Sequence, residues 1–255
     1  MAHASLSQAP PWPAIDWQAP WFAPWAALGQ VVSAAVVSGH SVAQALNHAA
    51  QRLGRTDLCF VPQSELPKGQ AYEAFIHAQQ RIPTRDNLHD FFNGLCWLRF
   101  PRTKRRLNQM QAQTIARDGV QAQRGPLRDA LTLFDENAAL LFATPAIWQA
   151  LQAKDWQALF VTHRAEWVQA QLVLFGHASL EKLMQAYKGI TVHVLNAPMP
   201  NPKSDAEIDN WLCQLLHEDW LQTKPFNPLP VMGIPAWWPA NENPDFYTDK
   251  TVFRT

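Results

Sequence analysis

The run Arg85-Asp86-Asn87-Leu88-His89-Asp90-Phe91-Phe92-Asn93-Gly94-Leu95-Cys96-Trp97-Leu98-Arg99-Phe100-Pro101-Arg102-Thr103-Lys104-Arg105-Arg106-Leu107-Asn108 sets the reading of this chain. From Asn87 onward Leu88, Phe91, Phe92, Leu95 and Leu98 recur at three- and four-residue intervals, which places them on one face of a helix. Pro101 interrupts that pattern and suits the first turn of a second helix, where its missing N–H is no loss. The spacing carries this second helix to about Arg117. The same segment joins metal-capable side chains, large aromatics and a dense cationic block. It marks a place for a functional site and does not fix a reaction.

Working outward, residues 26–37 suit a buried helix, and Ser41 caps a second one that reaches Leu53, with Gly54 as its stop. Leu58 to Val61 reads as a short strand, and Tyr72 to His77 alternates as another. Across Leu131 to Ala143 two apolar runs flank Asp135-Glu136-Asn137. That favours a hairpin over a helix followed by a strand. Helices are expected at 145–153, 155–163, 177–187 and 204–220, the last capped by Ser204, and Ile190 to Leu195 alternates as a strand. Prolines crowd both ends. The expected architecture is therefore a single helix-rich α+β domain with a few short strands, over residues 26–224. A Pro- and Trp-rich lead-in (residues 1–25) and an extended C-terminal arm (225–255) flank it.

The 255 residues suffice for a sizeable core, and 47% of them are hydrophobic, as in a globular protein. Twelve tryptophans are too many and too large for all to be fully buried. They either pack Pro-rich segments onto the core or line a groove. With 21 basic and 21 acidic residues the net charge is zero, which argues against a general nucleic-acid or anionic-membrane binder. Cys59, Cys96 and Cys213 form neither a zinc-type pair nor a disulfide framework, which fits a reducing cytoplasm. Met1 to Pro13 lacks a basic, apolar leader, and Ala23 to Val37 is too short and interrupted to span a bilayer. A soluble, cytoplasmic protein without a membrane span is expected.

Chemistry-bearing residues fall into groups. His89, Asp90 and Asn93 offer an imidazole and hard oxygens, with His89 and Asn93 one turn apart on a helix. Asp129, Asp135 and Glu136 place carboxylates in and beside an apolar run. His163-Arg164 and the pair His177 and Glu181 form a third group. Arg99, Arg102, Lys104, Arg105 and Arg106 form a basic block beside Trp97 and Phe100, suited to anionic groups and planar rings. The zincin, nucleophile-elbow, P-loop and dinucleotide signatures are absent.

Two functional readings follow. The first is a pocket with His89, Asp90, Asp129, Asp135, Glu136 and His177 as catalytic candidates. His89, Asn93 and Asp135 would be ligands of a divalent metal, the cofactor these side chains suit. Arg99, Arg102, Arg106 and Trp97 would hold an anionic small molecule for metal-assisted or acid–base hydrolysis. A single site requires His89 and His177 to lie within about 12 Å, beyond which no ion can be shared. The second is a non-catalytic module that docks nucleic acid or a partner protein through the basic helix 99–106 and exposed tryptophans.

The string from His89 to Lys104, the run Arg128 to Asn137, Leu174-Phe175-Gly176-His177 and the tail from Phe246 to Arg254 resemble a bacterial family known as domain of unknown function 3025. The resemblance runs from about residue 15 to the end and implies a bacterial origin but no activity. Ala138 stands where the family pattern implies glycine after Asn137. His89, Asn93 and Asn108 also bear a faint likeness to HNH-type nucleases, without the second histidine or the knuckle cysteines.

Overall fold

Asn87 caps the first helix of the central pair. Its side chain accepts the Asp90 backbone N–H at 2.8 Å, and helix α4 runs Leu88–Arg99. Phe100 leaves the helical conformation, Pro101 takes the first turn of the next helix, and α5 runs Pro101–Asp118. The computed structural model describes residues 12–119, 125–197, 202 and 204–254. In it α4 is buried continuously from Asp90 to Leu98, as a helix with neighbours on every side must be. Helices α1 (Ala26–Val37) and α2 (Val42–Arg52) pair beside it, α2 starting from a Ser41–Gln44 capping box. Gly94 lets α2 approach: a Cβ there would fall 2.2 Å from Leu46 Cδ1.

Strand β1 (Phe60–Pro62) pairs in parallel with β2 (Ile82–Thr84). The segment between them corrects an expectation: Tyr72 to His77 is no strand but part of helix α3 (Tyr72–Gln79). Two parallel strands need a crossover, which α3 provides, and six residues are too few to separate a period of 2 from one of 3.6. The expected hairpin across 131–143 is also replaced. Leu127, Ala130, Leu131 and Phe134 are the buried face of α6 (Pro126–Asn137), and Asp135-Glu136-Asn137 is its last turn. Ala138, at φ −76° and ψ 151°, passes directly into β3 (Ala138–Phe142). No turn forms there, so nothing requires glycine at that position.

The larger sheet has the order β4-β3-β5-β6, from β4 (Gln171–Leu174), β3, β5 (Thr191–Asn196) and β6 (Asn227–Pro230). β3 is antiparallel to β4 and parallel to β5, and β5 is antiparallel to β6. Helices α7 (Pro145–Gln152) and α8 (His177–Lys182) follow β3 and β4. The helix expected over 155–163 is a π-helical turn at Ala158–Thr162, and the one over 177–187 ends in a 3-10 turn after Lys182. The helix expected over 204–220 divides at Leu216, which turns extended, into α9 (Asp205–Leu215) and α10 (Glu218–Gln222).

The C-terminal segment is less extended than expected. It adds β6 to the sheet edge and then winds through 3-10 turns at Val231–Gly233, Pro239–Glu242 and Pro244–Thr248. Tyr247 stacks on Phe160 with ring centroids 5.1 Å apart. Of the lead-in, residues 1–11 lie outside the described residues. Trp21 meets Trp237 at 6.0 Å, so the two Pro-rich ends touch. All twelve tryptophans are buried in the core or packed against it. The architecture is α+β in one compact domain. Among the described residues no helix is long and apolar enough to cross a membrane.

Candidate functional site

A cavity of about 290 Å³ lies among the helices, and most of its wall is built from stripes of four of them, with Gln63, Leu66 and Arg85 closing the rest. Tyr72 and Ile76 come from α3, His89, Asn93 and Trp97 from α4, Lys104, Asn108 and Gln111 from α5, and Thr132, Asp135 and Glu136 from α6. These sets recur at three or four residues, the spacing that keeps side chains on one helix face. His177 enters from the first residue of α8.

Gly176 makes that entry possible. A Cβ at this position would lie 2.4 Å from the Asn137 nitrogen and 2.5 Å from the Glu136 carbonyl carbon. With hydrogen only, the β4–α8 corner closes onto the α6–β3 junction, and the N–H groups of Phe175 and Gly176 both donate to the Ala138 carbonyl. His177 is thereby set beside the last turn of α6.

His89 Nε2 and His177 Nε2 lie 3.1 Å apart. Glu136 Oε2 is 3.4 Å from His177 Nε2 and 4.0 Å from His89 Nε2. The other face of His89 is fixed by Glu181 Oε2, 2.8 Å from Nδ1. His177 is buried, with Nδ1 3.9 Å from Asp135 Oδ2 and the ring within reach of the Asp135 backbone. Burial, reinforced by the nearby Lys104 ammonium and partly opposed by Asp135, lowers the His177 pKa to about 3. The imidazole is therefore neutral at physiological pH and keeps a lone pair for a ligand. Burial pushes Asp135 upward, but the Lys104 ammonium bonded to it outweighs this and holds the carboxyl below its usual range.

The remaining candidates are placed differently. Asp90 lines the cavity but is held by Arg85 through the backbone N–H at 2.6 Å and the guanidinium at 2.9 and 3.1 Å. Asn93 donates to the Tyr72 hydroxyl at 3.2 Å, and Asp135 sits behind His177, bonded to Lys104. Asp129 is exposed on the first turn of α6 and does not line the cavity. Trp97 does line it, whereas Arg99, Arg102 and Arg106 do not. Arg99 is clamped by Asp205 at 2.7 and 2.8 Å and lies over the Trp25 ring. Arg106 donates to the Leu216 carbonyl, and Arg102 is exposed. The reason is rotation: a helix turns about 100° per residue, so when Lys104 and Asn108 face inward, 102, 105 and 106 cannot. His163 pairs with Glu166 at 2.7 Å, and Arg164 ties the C-terminal segment through Asn241 and Tyr247.

By sequence Lys104 belongs to the basic block and Tyr72 to a segment that alternates like a strand, so neither stands out as lining a cavity. The recurrence of Lys104, Asn108 and Gln111 at helical spacing was the available signal. Glu181 stands one turn from His177 on α8, yet its carboxylate meets His89. Cys96 is buried, donates to the Phe175 carbonyl and has its thiol pushed up to about 12 by burial, so it supports the corner as an inert group.

No curated protein and no solved structure matches the chain. A family model described as protein of unknown function (DUF3025) matches residues 58–255. The match starts later than the expected residue 15, leaving α1 and α2 outside it. It contains His89, Glu136, His177 and Glu181, and over that span the chain belongs to the DUF3025 family.

Proposed function

We propose that the protein is a divalent-metal-dependent hydrolase in which His89, Glu136 and His177 hold the ion. The observation that carries this reading is the triangle of ligand atoms with edges of 3.1, 3.4 and 4.0 Å. Two imidazole nitrogens and a carboxylate oxygen bound at about 2.0–2.1 Å to a tetrahedral ion stand about 3.3 Å apart. The same three side chains are the one group of metal-capable residues found among the described residues. Glu181 on the far nitrogen of His89 is the outer carboxylate that fixes the tautomer of a ligating imidazole.

A cation between the two Nε2 atoms lets both Nδ1 atoms carry hydrogen toward carboxylates, Glu181 for His89 and Asp135 for His177. Three protein ligands leave room for water and a substrate oxygen, the arrangement of catalytic rather than structural zinc.

The binding-module reading has less support. Arg99, Lys104, Arg105 and Arg106 each bond within the protein, so the basic block offers a nucleic acid little unspent charge. Elemental analysis and Zn²⁺ titration of tag-free protein test the proposal. One equivalent is expected in the wild type, and its loss in His89→Ala and His177→Ala with the helical circular dichroism unchanged. Failure of the wild type to take up Zn²⁺, Mn²⁺ or Fe²⁺ would falsify it.

A further inference from the structure

One polar side chain in the cavity is only half bonded. Asn93 stands on α4 between His89 and Trp97, is 8% exposed, and gives one end of its amide to Tyr72. The other end, Oδ1, has no hydrogen-bond partner. Turning the amide over changes which end is used: Tyr72 then donates to Oδ1, and Nδ2 is left over. Either way a buried polar atom bears its desolvation without return, in the wall of a cavity that also holds the His–Glu triangle.

We propose that Asn93 reads the substrate and that the substrate is a small carboxamide, an inference that rests on the hydrolase reading above. Three facts select the class. First, a secondary amide presents a donor and an acceptor together, so it satisfies Asn93 in either orientation; an ester lacks the donor. Second, one small substrate can meet both groups: His89 and Asn93 stand one turn apart on the same face of α4, about 5–6 Å at Cβ, and both line the cavity. Third, the cavity cations Lys104 and Arg85 are both bonded to carboxylates, Asp135 and Asp90, which disfavours a phosphoester. Trp97, a further turn along α4, offers its ring to whatever apolar group the amide nitrogen carries.

The reaction is amide hydrolysis. The water oxygen bonds to the carbonyl carbon, and the C–N bond breaks with its electron pair left on nitrogen. Both water protons end on that nitrogen, so a carboxylate and an ammonium ion leave.

The test measures binding of N-benzylacetamide, benzyl acetate and phenyl phosphate by ligand-observed NMR. Wild type and Asn93→Leu are compared, each with and without Zn²⁺, and Zn²⁺ stoichiometry is recorded in parallel. The wild type is expected to hold the amide about tenfold more tightly than the ester, as a site built around one hydrogen bond does. Asn93→Leu, with the same number of side-chain heavy atoms and the same branching, should reduce that preference to within about twofold while Zn²⁺ uptake stays at the wild-type value. If Asn93→Leu does not fold, Asn93→Ala, which only removes atoms, is read in its place. Equal amide and ester binding, a preference that survives in the variant, tightest binding of phenyl phosphate, or no binding of any probe would each overturn the proposal. Absence of Zn²⁺ uptake defeats the hydrolase reading alone, because the amide preference is also measured without the ion.

Discussion

Strand β3 and helix α4 both lie in the interior, yet they carry opposite chemistry. All five side chains of β3, Ala138 to Phe142, are apolar and buried, and its backbone is bonded on one side by β4 and on the other by β5. α4 is buried over nine consecutive residues that include Asp90, Asn93 and Cys96. The difference follows from where each element bonds its backbone. A central strand covered on both faces turns successive side chains into two apolar layers, so it has no wet side for a polar group. A helix satisfies its own backbone and can carry polar side chains inward, provided adjacent helices supply partners. The sheet therefore acts as the hard floor, and the helical half holds the chemistry.

The helical half is most vulnerable at its buried ion pair. Asp135→Leu leaves the Lys104 ammonium, 3% exposed, without its carboxylate. It should cost about 3–5 kcal/mol in urea unfolding, whereas Lys104→Met with Asp135→Leu should recover most of that loss. A single-variant cost under about 1 kcal/mol would mean that the pair is solvated. On the sheet side, Leu140→Ala in β3 should cost about 2–5 kcal/mol through the cavity it leaves. It should leave Zn²⁺ uptake as in the wild type, and a parallel loss of the ion would show that floor and site are one cooperative unit.

At the junction of the two halves, Gly176→Ala forces a methyl group against the Asn137 backbone. A destabilisation of about 1–3 kcal/mol is expected, together with weaker Zn²⁺ binding, because His177 moves with the corner. Unchanged affinity would uncouple the corner from the triangle. The smallest effect belongs to His193 on β5, whose pKa is lowered by burial and then by Lys182. The unfolded chain takes up a proton near the ordinary histidine value of about 6.5, before the folded chain does. This contribution is therefore present above that pH and is lost progressively as pH falls below it. A flatter stability profile between pH 7 and 5 in His193→Phe is the expected result, and a profile identical to wild type would count against it.

What was legible in the sequence was local. The α4–α5 boundary follows from Asn87, from the apolar spacing between Leu88 and Leu98, and from Pro101, all acting within a few residues. The α2 cap at Ser41 and the α9 cap at Ser204 are legible for the same reason. Tyr72 to His77 was not, because its length suits either period and the choice was made by the parallel pairing of β1 with β2. The α6–β3 junction misleads because Asp135 and Glu136 face the cavity and Asn137 accepts from Ser179, and together the three have the composition of a turn.

Residue order specifies which side chains are present for a site, the helical spacing of His89, Asn93 and Trp97, and the helix-rich α+β class. Periodicity and capping are short-range physics, and 255 residues of amphipathic pattern leave little freedom in them. Packing in three dimensions decided that His89 and His177, 88 residues apart in the chain, meet at 3.1 Å. It also decided that Lys104, alone among five clustered cations, turns inward to Asp135, and that Glu181 serves His89 rather than His177. Such choices depend on the rotation of one helix against another. That rotation is set by packing at Gly94 and Gly176 and by contacts between residues far apart in the chain, which no local pattern encodes.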